Sequence, residues 1–189
     1  MNFRVIVSTA VAAAAVCGVG VAAKVPAPTA AAVHKIEGDL RGSLITSKVE
    51  RNAGFTIDGA KVFTSTGTAS RSTFTFEQGT AIRGGVLTHS HPTSNSFSGN
   101  DLKLARKWQL VELRAVTAVG TYVLGPPIDG WNSVDADVFD LRVGQLLPGD
   151  KSVRTDPAIL RLALEFHFHY RFEPRNSRFD PQLCQDLTR

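Results

Sequence analysis

Cysteine is scarce in this chain, which contains only Cys17 and Cys184 among its 189 residues. Cys17 lies in an apolar N-terminal segment, and cleavage of that segment would leave a single thiol, so we expect no internal disulfide. Cys184 lies in a polar C-terminal stretch with no histidine close in sequence, which makes it a poor candidate nucleophile. The sequence therefore favours neither a disulfide scaffold nor a thiol-based active site.

The chain also lacks a concentrated patch of one charge. Its 21 basic and 17 acidic residues leave a formal net charge of +4, and the basic residues are scattered. Clusters of basic residues with interleaved aromatic residues, which are typical of nucleic-acid binding, are absent, so we expect no nucleic-acid partner. A composition of 43% hydrophobic and 20% charged residues is typical of a globular protein and excludes wholesale disorder.

Leucine is absent from residues 5–23, although this segment is apolar or small throughout. A short basic start precedes it and small residues end it, a pattern typical of a signal peptide. We therefore predict that residues 1–23 are a signal peptide and that the protein is exported to the periplasm or secreted. An uncleaved membrane anchor is the alternative, because the run nears the length that spans a bilayer.

The remainder reads as one domain without internal repeats. We predict a Pro/Ala linker at residues 24–32, a domain at residues 33–172 and a polar tail at residues 173–189. Apolar spacing predicts three helices, at residues 31–48, 99–108 and 156–170. Short alternating or apolar runs predict strands at residues 55–57, 61–63, 72–76, 84–88, 113–119 and 121–124, the first two joined by an Asp-Gly turn. Residues 129–150 are predicted to be a loop, and the alternation of strands and helices indicates an α/β or α+β domain.

Two histidines, His89 and His91, lie at the end of a predicted strand. Side chains two apart on a strand share one face, so both imidazoles can hold the same ion. Asp101 lies ten residues further on and opens a predicted helix that can fold back over the strand end. Two imidazoles and a carboxylate, with one position left for water, are the layout of a catalytic zinc site.

The segment HSHP, five further residues and then SGND resembles the JAMM signature, H-x-H-P followed by S-x-x-D. The spacer is one residue shorter than in many eukaryotic members, and is closer to bacterial and phage-associated ones. The resemblance covers roughly residues 50–124. It implies that His89, His91 and Asp101 bind Zn²⁺ and that Ser98 hydrogen-bonds the oxyanion. It also implies a cytidine-deaminase-like α/β fold, with a central mixed sheet flanked by helices.

The JAMM resemblance further implies a glutamate, on an upstream strand, that takes a proton from the attacking water. Glu50 lies five residues before the first predicted strand and 39 residues before His89, and is our choice. Glu77 would fall in the connection just before the ligand strand, and Glu37 belongs to the first helix, so they rank second and third.

Other polar residues have simpler explanations. Ser98 and Asp101 alone would be a helix cap, and only their conjunction with the histidine pair indicates a metal site. His167 and His169 are predicted to point apart on the last helix, unless residues 165–172 form a strand. Three aspartates lie close together in the predicted loop: Asp135, Asp137 and Asp140. We expect their carboxylates to be exposed to solvent and not to form a calcium site.

The predicted function is therefore a zinc metallopeptidase or isopeptidase-like hydrolase acting on a peptide or protein. Two alternatives stay open: a metal-free MPN-like module for binding or assembly, and a phage or secreted effector domain. A membrane partner is expected only if the N-terminal segment stays uncleaved. The sequence does not indicate the oligomeric state or the substrate's identity.

Overall fold

The computed structural model describes residues 25–47, 49–68, 73–93, 95–147 and 155–175. The predicted signal peptide or anchor at residues 1–23, both cysteines and most of the predicted tail lie outside the described residues. Among the described residues, no helix combines the length and the apolar character needed to cross a membrane.

Helices and strands alternate along the described chain. The helices are α1 (Ala27–Thr46), α2 (Phe76–Ala81), α3 (Gly99–Lys107), α4 (Ala136–Leu146) and α5 (Asp156–Phe166). The strands are β1 (Arg51–Phe55), β2 (Lys61–Thr66), β3 (Val86–Ser90), β4 (Glu112–Val116), β5 (Gly120–Pro127) and β6 (Phe168–Pro174). A short 3₁₀ turn, Trp131–Ser133, precedes α4.

One mixed sheet of six strands forms the centre, in the order β2-β1-β3-β4-β5-β6. β3 and β4 are parallel, and all the other neighbours are antiparallel. Val86 packs with Val33 of α1 in a small core, whereas its neighbour Leu87 belongs to the main core with residues of α3, α4 and α5. Because adjacent strand residues face opposite sides, helices cover both faces of the sheet. The predicted α/β class, with a mixed sheet flanked by helices, is confirmed.

The predicted hairpin is confirmed, with β1 and β2 joined through the Asp58-Gly59 turn, but its first strand lies at Arg51–Phe55 and not at the predicted residues 55–57. The backbone N–H of Thr56 donates to the Ala60 carbonyl across it at 3.0 Å. Gly59 has a φ of +92°, a backbone conformation that residues other than glycine rarely adopt. The predicted strand at residues 84–88, the helix at residues 99–108 and the strand pair after it are confirmed as β3, α3 and the β4–β5 pair.

Several predicted boundaries are wrong. α1 begins at Ala27, inside the predicted linker, because Pro28 suits a first helical turn and alanine favours the helix. The sequence predicts a strand at residues 72–76, but the described residues of this range, 73–76, form none. Thr75 instead caps α2 by accepting from the Gln78 N–H. β5 continues to Pro127 through a register shift rather than stopping at Gly125.

The predicted loop at residues 129–150 contains α4, whose N-terminus is capped by Asp135. The Asp135 side chain accepts hydrogen bonds from the N–H groups of Asp137 and Val138, at 3.0 and 2.9 Å. This carboxylate therefore has a structural role, in place of the solvated one predicted.

The helix predicted at residues 156–170 stops at Phe166, where His167 adopts a left-handed conformation with φ 56°. The chain then turns back as β6 and pairs with β5, so Glu173 belongs to the sheet and not to the predicted tail. Thr155, rather than the predicted Asp156, holds the N-cap position of α5.

Candidate metal centre

β3 brings the histidine pair into the middle of the molecule. The strand lies between β1 and β4, and its five residues are all buried. His91 follows the strand, and its backbone N–H still donates to the Val116 carbonyl of β4 at 2.7 Å. This bond extends the strand geometry by one residue, so His89 and His91 project from the same face. Their side chains are 3% and 8% exposed, and ionisable side chains are seldom buried to this extent unless they have a polar partner.

Asp101 completes the group from the first turn of α3. The Nε2 atoms of His89 and His91 lie 2.9 Å apart. The Asp101 Oδ1 is 3.5 Å from the His89 Nε2, and its Oδ2 is 3.7 Å from the His91 Nε2. The sequence prediction that these three residues come together is therefore met by the structure, which forms a buried triad able to bind a metal ion.

The spacing of the ligand atoms suits a small cation. Ligands that bind zinc tetrahedrally at about 2.0–2.1 Å lie roughly 3.3 Å from each other. The Nε2–Nε2 separation is 2.9 Å, and the two imidazole–carboxylate separations, which run to different oxygens of Asp101, are 3.5 and 3.7 Å, so they bracket that value. Imidazole nitrogen and carboxylate oxygen are also ligand types that zinc accepts. The residues present therefore fit a zinc ion without a large rearrangement.

The orientation of Asp101 is set by the cap of α3. The Ser98 hydroxyl accepts from the Asp101 N–H at 3.3 Å, and the Ser98 N–H and hydroxyl both donate to the Asp101 Oδ2 at 2.7 Å. This capping box fixes the carboxylate and leaves Oδ1 facing His89. Ser98 itself is exposed, beside the ligands.

A backbone carbonyl sets the tautomer of His91. Its Nδ1 lies 3.0 Å from the carbonyl oxygen of Asn95, which can only accept a hydrogen bond. The neutral ring therefore carries its proton on Nδ1, and the Nε2 lone pair faces His89 and Asp101. His89 Nδ1 is buried and has no hydrogen-bond partner within normal distance and angle. The backbone of Arg114 is nevertheless near enough to His89 to favour the protonated imidazole.

The protonation states of the triad follow from its electrostatics. Burial alone would raise the pKa of Asp101, but the two imidazoles and the Ser98 hydrogen bond hold that pKa well below its usual range. Burial, together with the neighbouring His89, lowers the pKa of His91. For His89 burial also acts downward, but the carboxylates of Asp101 and Glu50 outweigh it and the pKa is raised. At neutral pH, an ionised Asp101 and a neutral His91 are the forms that metal binding requires.

Glu50 lies at the edge of this centre. β1 pairs with β3 so that Asn52 is opposite His89, and Glu50 comes two residues earlier, just before β1 begins at Arg51. Glu50 is partly buried, and its charge acts on His89. The structure therefore brings Glu50 near His89, although Glu50 lies outside the paired residues of β1 and β3.

The two other glutamates considered lie elsewhere. Glu37 is buried on the α1 side of the sheet and pairs with Arg114 at 2.6 Å. Since Arg114 pairs with Thr88 and faces away from His89, Glu37 cannot reach the triad. Glu77 is exposed in the first turn of α2.

The second histidine pair lies on two different elements. His167 is exposed at the end of α5, and the half-buried His169 lies on β6. The predicted helix through both residues is therefore wrong, and the alternative of a strand is met from Phe168 onward.

Several residues near the site were missed by sequence reasoning. Asn52 is 2% exposed, lies opposite His89 and accepts a hydrogen bond from Ser65. Ser96 is 1% exposed and hydrogen-bonds Tyr170 of β6 at 2.8 Å. The polar–apolar alternation of residues 165–172 was the available signal for Tyr170, but nothing local marked Asn52 or Ser96.

A comparison with protein-family models found no match, and comparisons with curated proteins and with solved structures found none either. The resemblance to the JAMM signature therefore rests on the residues of the motif alone.

Proposed function

We propose that this chain is a zinc-dependent hydrolase of the JAMM type that cleaves a peptide or isopeptide bond. The observation that carries the proposal is the buried convergence of His89, His91 and Asp101 at the end of β3. The mixed sheet with helices on both faces is compatible with the cytidine-deaminase-like layering of that family, which is part of the proposal.

Zinc is the proposed ion because the ligand set is two imidazoles and one carboxylate. Sites that keep three protein ligands leave a fourth position open for water or substrate. Zinc held by these three residues would supply a Lewis acid that polarises a carbonyl and makes a water molecule more acidic, towards a pKa of about 7.

In the proposed reaction, Glu50 acts as the general base and then as the general acid. The proposal is supported by its charge acting on His89, which means that the carboxylate is near the ligands, where it would take a proton from the attacking water and pass it to the leaving amine. Ser98 is exposed next to Asp101 and donates a hydrogen bond to the oxyanion of the substrate. In the protein as described, the same hydroxyl donates to Asp101, so substrate binding requires it to turn.

The proposed substrate is a peptide or protein, because a polarised carbonyl and a proton relay to an amine suit amide bonds. Export, which the N-terminal sequence predicts, would make an extracellular or periplasmic peptide the target. We propose no nucleic-acid partner, since the basic residues are scattered along the sequence.

Hydrolysis of a panel of quenched fluorescent peptides and isopeptides by the zinc-loaded protein tests this proposal. We expect Glu50→Gln to keep its zinc and to lose roughly 10²- to 10⁴-fold in kcat, the usual contribution of a general acid–base group. Glu77→Gln is the matched control, because Glu77 is exposed on α2 and should leave turnover unchanged.

Equal turnover by Glu50→Gln and the unmodified protein would exclude Glu50 as the base. Turnover that survives complete removal of zinc by a chelator would contradict the proposed chemistry as a whole.

A further inference from the structure

A line of contacts connects the last strand of the sheet to His91. The hydroxyls of Tyr170 on β6 and of Ser96 lie 2.8 Å apart. Ser96 belongs to the ligand loop, which we define as residues 92–93 and 95–98, between His91 and α3. β6 lies three strands from β3, so this contact joins elements that are far apart in the sheet.

The Tyr170 ring also supports the ligand loop through Phe97. Phe97 is fully buried, and its ring centroid lies 6.3 Å from that of His89 and 6.3 Å from that of Tyr170. Tyr170 in turn stacks on Tyr122 of β5, with ring planes 2° apart. The phenol is thereby held on the sheet, and its hydroxyl has a defined direction towards Ser96.

The ligand loop matters because it carries the acceptor for His91. The Asn95 carbonyl oxygen lies 3.0 Å from His91 Nδ1, and Ser96 is the next residue in the chain. The peptide unit that holds this carbonyl includes the backbone nitrogen of Ser96, so a shift of Ser96 moves the acceptor. Without that acceptor, the imidazole is free to carry its proton on Nε2, where a metal needs the lone pair.

We infer that Tyr170 is a positioning residue for the metal centre: by holding Ser96 it fixes the Asn95 carbonyl, and with it the tautomer and direction of His91. The inference rests on the metal site of the proposed function, but not on the reaction or substrate. If Tyr170 has this role, His91 is oriented for metal binding only when β6 is paired with the rest of the sheet.

The direct test is the tautomer of His91, measured by ¹⁵N NMR of the metal-free full-length protein at a pH where the imidazole is neutral. We expect one tautomer, protonated at Nδ1, in the unmodified protein and a mixture in Tyr170→Phe and in Ser96→Ala. Zinc affinity, measured by competition with a chelator, should fall about three- to tenfold in both variants. This is at or below the smallest effect usually seen when a residue that orients a metal ligand is replaced. The double variant should lose no more than the worse single variant, since both remove one hydrogen bond.

Ser133→Ala is the control. It also removes a serine hydroxyl, which donates a hydrogen bond to the Gly130 carbonyl, but Ser133 is far from the metal ligands in sequence. It should leave both readouts unchanged. An unaltered His91 tautomer in Tyr170→Phe and Ser96→Ala would overturn the inference, as would losses that add in the double variant. If the zinc-loaded protein hydrolyses no peptide but its His91 tautomer and zinc affinity respond as expected, the proposed reaction fails and the positioning role of Tyr170 stands; if the unmodified protein binds no zinc, both fail.

Discussion

Ser98 and Asp101 show how one set of hydrogen bonds can serve a helix and a metal site together. In the sequence, Ser-x-x-Asp fits a helix cap and a ligand motif equally well. The structure contains the cap, and the capped Asp101 carboxylate also faces both histidines. The two interpretations are therefore compatible, because the bonds that start α3 also aim the ligand.

Replacing Ser98 by alanine should therefore have two effects. Loss of the cap should reduce the free energy of unfolding by about 1 kcal/mol. Loss of the hydroxyl bond to Asp101 Oδ2 should also weaken zinc binding by about tenfold, because an outer contact that orients a ligand is removed. Chemical denaturation and chelator competition measure the two quantities.

Thr75→Ala is the matched variant, since Thr75 forms the same kind of capping box at the start of α2 with Gln78. It should lose a similar amount of stability and keep its zinc affinity. If both variants bind zinc as the unmodified protein does, the Ser98 bond has no role in orienting Asp101.

At the scale of elements, the predictable parts are those with a strong local signal. β3 starts with a short apolar run that leads into the histidine pair, α3 has clear caps, and the Asp58-Gly59 turn specifies the β1–β2 hairpin. Asn52 joins the site only through the strand register, which depends on contacts between distant parts of the chain. Such contacts leave no local pattern to read.

The missed elements have physical explanations as well. α4 buries only Phe139 and Val143, one turn apart, so its apolar pattern is too short to stand out from a loop rich in aspartate. The prediction of one helix through Tyr170 followed an apolar spacing that continues past its end. The left-handed conformation of His167 interrupts it, and pairing with β5 then holds the following residues as a strand.

Gly79 allows a test of how α2 packs on α3. A Cβ at this position would lie 2.4 Å from the Trp108 ring at the end of α3. Gly79→Ala should therefore lower the free energy of unfolding by roughly 1–3 kcal/mol, the usual cost of overpacking. Thermal or urea denaturation measures it.

Gly144→Ala on α4 is the matched substitution, because a Cβ there meets nothing within 4 Å. It should raise stability by about 0.5–1 kcal/mol, since alanine loses less backbone entropy in a helix. A stabilising effect at both glycines would contradict the packing of Trp108 against Gly79.

At the scale of the whole molecule, a buried ion network joins the first helix to the last strand. Arg114 of β4 donates to Glu37 of α1 at 2.6 Å and to Glu173 of β6 at 2.5 Å. It also pairs with Glu112 at 2.8 Å, and Arg171 lies 3.1 Å from the same glutamate. These bonds lie on the face of the sheet opposite the metal centre, so they stabilise the fold without taking part in the site.

This network predicts how stability depends on pH. Burial acts to raise the pKa of Glu37, but the hydrogen bond from His34 and the charge of Arg114 outweigh it, and the pKa is lowered. A carboxylate with a lowered pKa contributes stability that is complete above the unfolded-state pKa of about 4.3 and is lost as pH falls through the folded-state value. Denaturation at a series of pH values from 7 to 3 should show this loss below about pH 5.

Glu37→Gln isolates that contribution. At pH 7 it should destabilise the fold by about 3 kcal/mol, near the lower end for a broken buried pair, because Glu112 and Glu173 still face Arg114. Its stability should then fall less steeply in acid than that of the unmodified protein. Parallel pH profiles for the two proteins would show that Glu37 is not the group responsible.

We propose that His89, His91 and Asp101 hold one zinc ion, and metal analysis of the purified protein decides whether they do. After dialysis against zinc and removal of the unbound ion, inductively coupled plasma mass spectrometry should find one equivalent per chain, and His91→Ala should retain much less while staying folded by circular dichroism. A folded, unmodified protein that retains no stoichiometric zinc would contradict the account and favour a metal-free binding or assembly module.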